Sequence, residues 1–198
     1  MSNLLKIIFI FGFILVLPVI IFGLILVWYE DGNPVIFIQK RLGLNKRMFS
    51  LYKIRTMYNS TPSLGTHQVE NRNHLKFGSV LRRLKIDELP QLINYFKGDL
   101  SLIGPRPGLP NQKELTAYRE QYNVYYVNPG ITGLSQVLGY DMSSPELLAM
   151  VDNLYIKQKT NRLDVEIFFA TFFNSFKRRL HKKYIHDIER FKEKVNHV

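Results

Sequence analysis

"IIFIFGFILVLPVIIFGLILVW", residues 7–28, carries no charged side chain, and its reading decides what kind of fold the chain belongs to. A membrane-crossing helix needs about 20 apolar residues, so the run is long enough for one. A secretory signal has an apolar region of roughly 7–15 residues followed by small residues at a cleavage site. Here the run is longer and leads into "WYEDG" at 28–32, which predicts a retained membrane segment. Trp28 and Tyr29 suit the headgroup level, where amphipathic aromatics collect. Pro18 lies near the middle of the run; it removes a backbone donor and crowds the preceding turn. Two outcomes are open: a kinked helix that spans, or a break that returns both ends to one face. The second requires partners for the freed backbone groups. Lys6 is the sole charge between the start and the run, and a basic chain follows it. The positive-inside bias then puts the rest of the chain in the cytoplasm.

Outside that run the charge balance dominates. The 198 residues carry 27 Lys and Arg against 16 Asp and Glu, a formal charge of +11. Such a surplus selects anionic partners: nucleic acid, phospholipid headgroups or a phosphorylated substrate. No nucleic-acid recognition motif of the usual kinds is present, and an apolar anchor directs basic charge at lipid or substrate, so nucleic acid is not expected. A hydrophobic content of 46% with 14 Phe is enough for a core and argues against disorder. With no cysteine, disulfides, zinc–thiolate sites and cysteine nucleophiles are excluded. The length fits one domain plus an appendage: residues 1–30 as the membrane helix, broken near Pro18, and residues 31–198 as a cytoplasmic domain.

The pattern along that domain predicts an α+β fold, mostly α. "NPVIFIQKRLGLNKRMFSLYKIRTM" (33–57) reads as a β-hairpin, with Val35, Phe37, Phe49 and Leu51 alternating and "LGLNKR" as the turn. Residues 58–77 have no apolar period and read as a surface loop; its His67 and His74 are expected to be solvated rather than metal-bound. Helices are expected over 78–85 and 88–96. The second would be capped by Asp87, stopped at Gly98, and carry Leu89, Leu92, Ile93 and Phe96 on one face. A third begins at a cap on Asn111, a fourth at the Ser-Pro of 144–145. "NPGITGLSQVLGY" (128–140) reads as turns with short extended pieces. In the tail, Phe172, Phe176, Leu180, Tyr184, Ile188, Phe191 and Val195 recur at spacings of three and four among Lys177, Arg178, Arg179, Lys182 and Lys183. That is a basic amphipathic helix suited to an inner-leaflet surface of anionic lipid; an ordinary surface helix shows the same pattern.

The chemistry concentrates in "KIDELPQLINYFKGDLSLIGPRP" (85–107). Asp87 and Glu88 stand together where acids gain from a helix N-terminus, which alone explains nothing beyond a cap. Cations crowd them, however: Lys76, Arg82, Arg83, Lys85, Lys97 and Arg106. Carboxylates, arginines and a helix start together suit a phosphate bound with a divalent cation, since Mg²⁺ takes only one or two carboxylates plus phosphate oxygens.

Four strings in order, "KIRTM" (53–57), "LRRLKIDELPQL" (81–92), "KGDLSLIGPRP" (97–107) and "NPGITGLSQV" (128–137), resemble the bacterial sugar transferase family. These are the small monotopic phosphoglycosyl transferases, and the likeness covers nearly the whole chain. It implies transfer of a sugar 1-phosphate from a UDP-sugar to polyprenyl (undecaprenyl) phosphate, with release of UMP, as the first membrane step of envelope glycan assembly. It implies Mg²⁺ and an Asp-Glu dyad at Asp87 and Glu88, with Asp87 as nucleophile in a two-step, ping-pong route; on physical grounds Glu88 is assigned to hold the metal or to assist proton transfer. It also implies a re-entrant helix broken at Pro18, on the cytoplasmic face of the inner membrane. Some members carry a serine just before that proline, where this chain has Leu17. On charge grounds Lys53, Arg82 and Arg106 are assigned to substrate phosphates, Arg106 being restrained by Pro105 and Pro107. Asp141, Asp152 and Asp164 are further candidates for a carboxylate near the nucleotide. A homodimer is compatible with the chain, and the transferred sugar is not legible. The alternative reading is a non-enzymatic basic membrane adaptor, which would have no use for the acid pair.

Overall fold

The computed structural model describes residues 3–61 and 73–196, with side chains from 15–61 and 73–193. The expected α+β, mostly helical fold is present. Helix α1 runs Asn3–Asp31 and a hairpin of β1 (Ile36–Leu42) and β2 (Met48–Ile54) follows. Then come α2 (Lys76–Arg83), a 3₁₀ turn (Ile86–Glu88), α3 (Gln91–Lys97), β3 (Ser101–Ile103), α4 (Lys113–Gln121), β4 (Gly130–Thr132) and α5 (Leu134–Leu138). Helices α6 (Pro145–Gln158), α7 (Asn161–Phe172) and α8 (Asn174–Asn196) complete the chain. It divides into two compact units, Met1–Gln39 with Ser50–Phe96, and Lys40–Phe49 with Lys97–Val198. Helix α1 therefore groups with residues 50–96 rather than standing apart as an appendage.

In the first unit, Val27, Ile54, Leu75 and Leu81 are buried together, with Leu24, Val35, Tyr58 and Ile86 packed on them. Helix α1 approaches closely because Gly23 has no side chain: a Cβ there would lie 2.9 Å from Ile54 Cδ1. Its acidic end has two structural uses. Glu30 accepts from the backbone N–H groups of Lys76 and Phe77, capping the start of α2 from another element. Asp31 pairs with Arg55, whose guanidinium also donates to the carbonyls of Asp31 (3.1 Å) and Gly32 (2.8 Å) at the end of α1. Helix termini leave such groups unpartnered, so "WYEDG" is a junction as well as an end. The opposite side of α1, including Leu15, Phe22, Ile25 and Trp28, is exposed. The helix continues through Pro18. Among the described residues no helix is long and apolar enough to cross a membrane.

In the second unit the core gathers Ile103, Leu134, Val137, Leu138, Val151, Tyr155, Leu163 and Ile167 with Leu180, Tyr184 and Ile188 of α8. The tail therefore departs from expectation. Its apolar stripe faces this core, Leu180, Tyr184 and Ile188 each being 1% exposed, so that face is not turned to lipid. Burial of each such side chain contributes about 1.5–3 kcal/mol. Val195 lies outside the described side chains. Two caps also move. Helix α4 starts at Lys113 after Gln112, not after a cap on Asn111, because the Gln112 side chain turns back to accept from Leu109 N at 2.7 Å. Helix α3 starts at Gln91 rather than at Glu88. Pro90 has no N–H with which to close a four-residue turn, and the chain advances by three-residue turns, Leu89 N to Ile86 O at 3.1 Å and Leu92 N to Leu89 O at 3.0 Å.

Candidate active site

The carboxylate pair sits on the turn between α2 and α3, in the first unit. After α2 the backbone reverses at Lys85, which adopts a left-handed conformation (φ 61°, ψ 15°). Side chains avoid that region at about 1–2 kcal/mol, and nothing in the identity of a lysine announces it. Asp87 is therefore not the cap of a helix but a member of the 3₁₀ turn, and it is buried at 6% exposure. Beside it, Glu88 accepts from Lys53 Nζ at 2.9 Å, an ion pair with only 15% and 13% of the two side chains exposed. Arg82, in the last turn of α2, meets Nε2 of His74, so His74 packs on a cation rather than standing in solvent. His67 lies outside the described residues.

Burial raises the Asp87 carboxyl above the usual aspartate range; Lys53 opposes this, Glu88 adds to it, and Arg82 and Lys85 oppose it. An ionised Asp87 is thus poorly hydrated and surrounded by positive potential. Both conditions favour attack on an anionic phosphorus centre, because a nucleophile stripped of water is more reactive and cations offset like-charge repulsion.

Helix α3 fixes this turn against β2 through Asn94, a residue the apolar pattern hid. It is 0% exposed, donates to Ser50 O at 2.7 Å and accepts from Tyr52 N at 3.2 Å. The buried side of α3 is Gln91 and Asn94, whereas Ile93 and Phe96 are 40% and 44% exposed. Two members of the expected apolar face are thus turned outward, while Leu89 and Leu92 are half-buried. Asn94 sits inside because its amide serves the backbone of β2 at Ser50 and at Tyr52, which is next in sequence to Lys53. Helix α2 likewise leaves Phe77 and Val80 exposed, as is Leu84 just past its end.

Arg106 belongs to the second unit. Pro105 and Pro107 are buried on either side of it while Arg106 is half-buried. Its loop is built on close backbone approaches. Strands β3 and β4 pair in parallel, Ser101 opposite Gly130 and Ile103 opposite Thr132. Gly104 N donates to Thr132 O at 2.9 Å and Gly130 N to Pro105 O at 2.8 Å. A Cβ on Gly130 would lie 2.1 Å from Gly104 N, and one on Gly133 2.1 Å from Gly104 O. On the other side, Arg41 Nη1 donates to Pro107 O at 3.0 Å and Leu42 N to Gly108 O at 3.0 Å. Gly130→Ala should accordingly part the strands and destabilise the protein by about 1–3 kcal/mol, the usual cost of overpacking. Thermal melting of the variant against the wild type checks this.

The three further aspartates have different surroundings. Asp152 is 1% exposed and both its oxygens are engaged: Oδ2 accepts from Arg119 Nε at 3.1 Å and Nη2 at 2.6 Å, and Oδ1 from Ser135 Oγ at 2.7 Å. Asp164 accepts from the Tyr155 hydroxyl at 2.7 Å; burial and this carboxylate push the phenol up, so it stays a donor. Asp141 is exposed and accepts from Ser143 N at 2.9 Å within its own turn. Among the described residues no group of three or more His, Asp and Glu gathers as a metal cage. Two adjacent carboxylates, one desolvated and one paired with Lys53, fit the smaller protein share that Mg²⁺ takes when phosphate oxygens supply the rest.

A buried carboxyl with Lys53, Arg82 and Lys85 acting on it suits an anionic substrate. The chain belongs to the bacterial sugar transferase family: the family profile described as "Bacterial sugar transferase" matches residues 2–178. It is 41% identical over 154 residues, 77% of this chain and 75% of the other, to the "Uncharacterized sugar transferase EpsL" of Bacillus subtilis (strain 168). It is 36% identical over 164 residues to a "UDP-N-acetylgalactosamine-undecaprenyl-phosphate N-acetylgalactosaminephosphotransferase" of Aeromonas hydrophila, covering 78% of this chain and 38% of that one. It is 37% identical over 154 residues to a "UDP-glucose:undecaprenyl-phosphate glucose-1-phosphate transferase" of Xanthomonas campestris pv. campestris, covering 72% and 31%. The match thus spans three quarters of the Bacillus protein and about a third of the other two.

Proposed function

We propose that this protein transfers a sugar 1-phosphate from a UDP-sugar to undecaprenyl phosphate and releases UMP. The step would open assembly of an envelope glycan: an O-antigen, a capsule, an exopolysaccharide or a glycoprotein glycan. The observation that carries the reading is the desolvated Asp87, set between Lys53, Arg82 and Lys85 beside the Glu88–Lys53 pair. In the first half-reaction an Asp87 oxygen attacks the β-phosphorus of the donor. The bond from that phosphorus to the oxygen bridging the two phosphates breaks, UMP leaves with the electron pair, and an aspartyl phosphosugar remains. In the second, a phosphate oxygen of the acceptor attacks the same phosphorus and Asp87 leaves as a carboxylate.

Arg82 and Arg106 are assigned to the phosphate oxygens, where a fixed guanidinium offers paired donors. Lys53 orients Glu88 and keeps positive charge near the attacking oxygen. Mg²⁺, held by Asp87 and Glu88, would neutralise the diphosphate and the departing UMP. The exposed apolar side of α1 is assigned to the cytoplasmic leaflet of the inner membrane, with the return to the same face made by a bend at Pro18 within a continuous helix rather than by a break. Together with the outward Phe77 and Val80 of α2 and Leu84 after it, it would let a lipid-held phosphate and a soluble donor reach one carboxylate.

Arg82→Ala or Arg106→Ala should each lower kcat/KM by about 10²–10³-fold, the usual loss for one donor to developing charge. The deciding experiment supplies a panel of UDP-sugars with undecaprenyl phosphate and reads UMP release. Parallel double-reciprocal lines with one sugar support the two-step route. UMP formed only when both substrates are bound together, with no adduct in the absence of acceptor, overturns it.

A further inference from the structure

The run from Asp87 to Lys97 turns a polar face inward. Asp87, Gln91 and Asn94 are 6%, 3% and 0% exposed, at spacings of four and three residues that place them on one side of a helical path. That path is continuous: Leu89 N donates to Ile86 O at 3.1 Å, Leu92 N to Leu89 O at 3.0 Å and Ile93 N to Pro90 O at 3.0 Å. Two of the three residues are accounted for. Asn94 serves the backbone of β2 through both ends of its amide, and Asp87 is the nucleophile of the proposed reaction. Gln91 lies between them, and among the described residues its side chain makes no hydrogen bond. A carboxamide carries two donors and an acceptor. Interiors rarely hold such a group without partners, because its lost hydration is not replaced. A methionine would fill the same space without that cost, so the fold alone gives no reason for a glutamine.

The neighbourhood shows what the amide can serve. The charges acting on the Asp87 carboxyl are those of Lys53, Glu88, Arg82 and Lys85; Gln91 is not a partner of Asp87. A group joined to an Asp87 oxygen, or held in line for attack by it, comes within reach of a side chain four residues further along the same face. In the proposed reaction that group is a phosphoryl centre, whose nonbridging oxygens accept hydrogen bonds. A lysine at position 91 would bind phosphate too, but it would also pair with Asp87 and hold the carboxylate back. A neutral N–H gives an anionic oxygen a donor and leaves the nucleophile uncommitted.

We infer that Gln91 is a further substrate-contacting residue of this site: its Nε2 donates to a nonbridging oxygen of the phosphoryl group that Asp87 attacks and carries between the two half-reactions. The inference rests on the reaction proposed above. It gives that reaction a neutral donor that the charge pattern did not single out.

Two variants of the full chain test it. Gln91→Met keeps the length and bulk of the side chain and removes its amide; Gln91→Glu keeps the shape and replaces the N–H donors with a charged oxygen. Each is read by thermal melting without ligand, by calorimetric binding of pyrophosphate with Mg²⁺, and by the rate of phosphosugar adduct formation from each UDP-sugar of the panel above, acceptor withheld. Gln91→Met should melt at or above the wild type and bind pyrophosphate about tenfold more weakly, the scale of one hydrogen bond to a charged group. It should form the adduct about 10²-fold more slowly, as for one donor to developing charge. Gln91→Glu should bind pyrophosphate more weakly still. Binding and adduct rates like the wild type in both variants overturn the inference. So does a melting temperature several degrees lower in Gln91→Met, the result expected of an amide that the fold uses. Pyrophosphate separates the two readings. Binding that depends on Gln91 in a chain that forms no adduct with any sugar sinks only the proposed reaction, and adduct formation indifferent to Gln91 sinks only this contact. A wild type that neither binds pyrophosphate nor forms an adduct sinks both.

Discussion

Asp87→Asn is expected to abolish the covalent phosphosugar adduct and to lower turnover by about 10⁴-fold or more, the scale of losing a nucleophile. The substitution keeps the shape of the side chain and removes its charge and its attacking oxygen. It also makes a prediction that an ordinary loss of function would not share. Burial holds the Asp87 carboxyl above its ordinary range, so the folded protein binds that proton more readily than the unfolded chain. The stability linked to this group is complete below the ordinary aspartate range and is lost as pH rises through the raised value. Asparagine is neutral at every pH and escapes that loss. Measured in EDTA at pH 8, the Asn variant should melt above the wild type, and the difference should shrink towards zero in acid. By the same shift, the acid limb of the wild-type kcat/KM for donor should fall at a pH above that of a free aspartate. A labelled adduct of undiminished yield on the Asn variant, found by mass spectrometry without acceptor, removes Asp87 from the mechanism. A variant that melts below the wild type at pH 8 removes the account of its burial.

Breaking the Arg119–Asp152 pair has the largest expected effect on stability. Two donors from Arg119 and one from Ser135 converge on Asp152, with the two charged side chains 2% and 1% exposed. Removing one member strands the other charge away from water, which costs about 3–5 kcal/mol. For a chain of this size the melting temperature should drop by roughly 6–20 °C. Asp152→Asn and Arg119→Met should both show it in calorimetry. The triple change Arg119→Met, Asp152→Leu, Ser135→Ala removes every polar partner at once and should recover most of the loss. If Asp152→Asn instead melts like wild type and impairs only donor binding, Asp152 serves the nucleotide and not the fold.

The elements that sequence made legible are those with a local cause. The uncharged run of 7–28, the alternation of Phe49 and Leu51 in β2 and the Ser-Pro start of α6 each have a physical signature within a few residues. Adjacent carboxylates among clustered cations made the candidate site visible in the same way, and motifs in order carried the family. What the pattern could not assign has its cause elsewhere in the chain. Glu30 caps α2 across a sequence separation of 47 in its bond to Phe77. Asn94 is buried because β2 needs its amide, and Ile93 and Phe96 are turned outward as a result. Lys85 takes a left-handed turn that its side chain does not favour.

The tail shows the division most plainly. A stripe of apolar residues at helical spacing states that one face must leave water, and it says nothing about whether protein or lipid receives it. Leu180, Tyr184 and Ile188 found protein, which left the phenylalanines of α7 outside. Sequence by itself determined most element types, the family and the candidate carboxylate pair, because propensity, period and motif act over a few bonds. Tertiary structure alone decided which apolar face is core, that Asp87 lies in a desolvated turn, and that Lys53 is the partner of Glu88. Burial and ion pairing depend on which distant segments arrive alongside, and no local pattern encodes that.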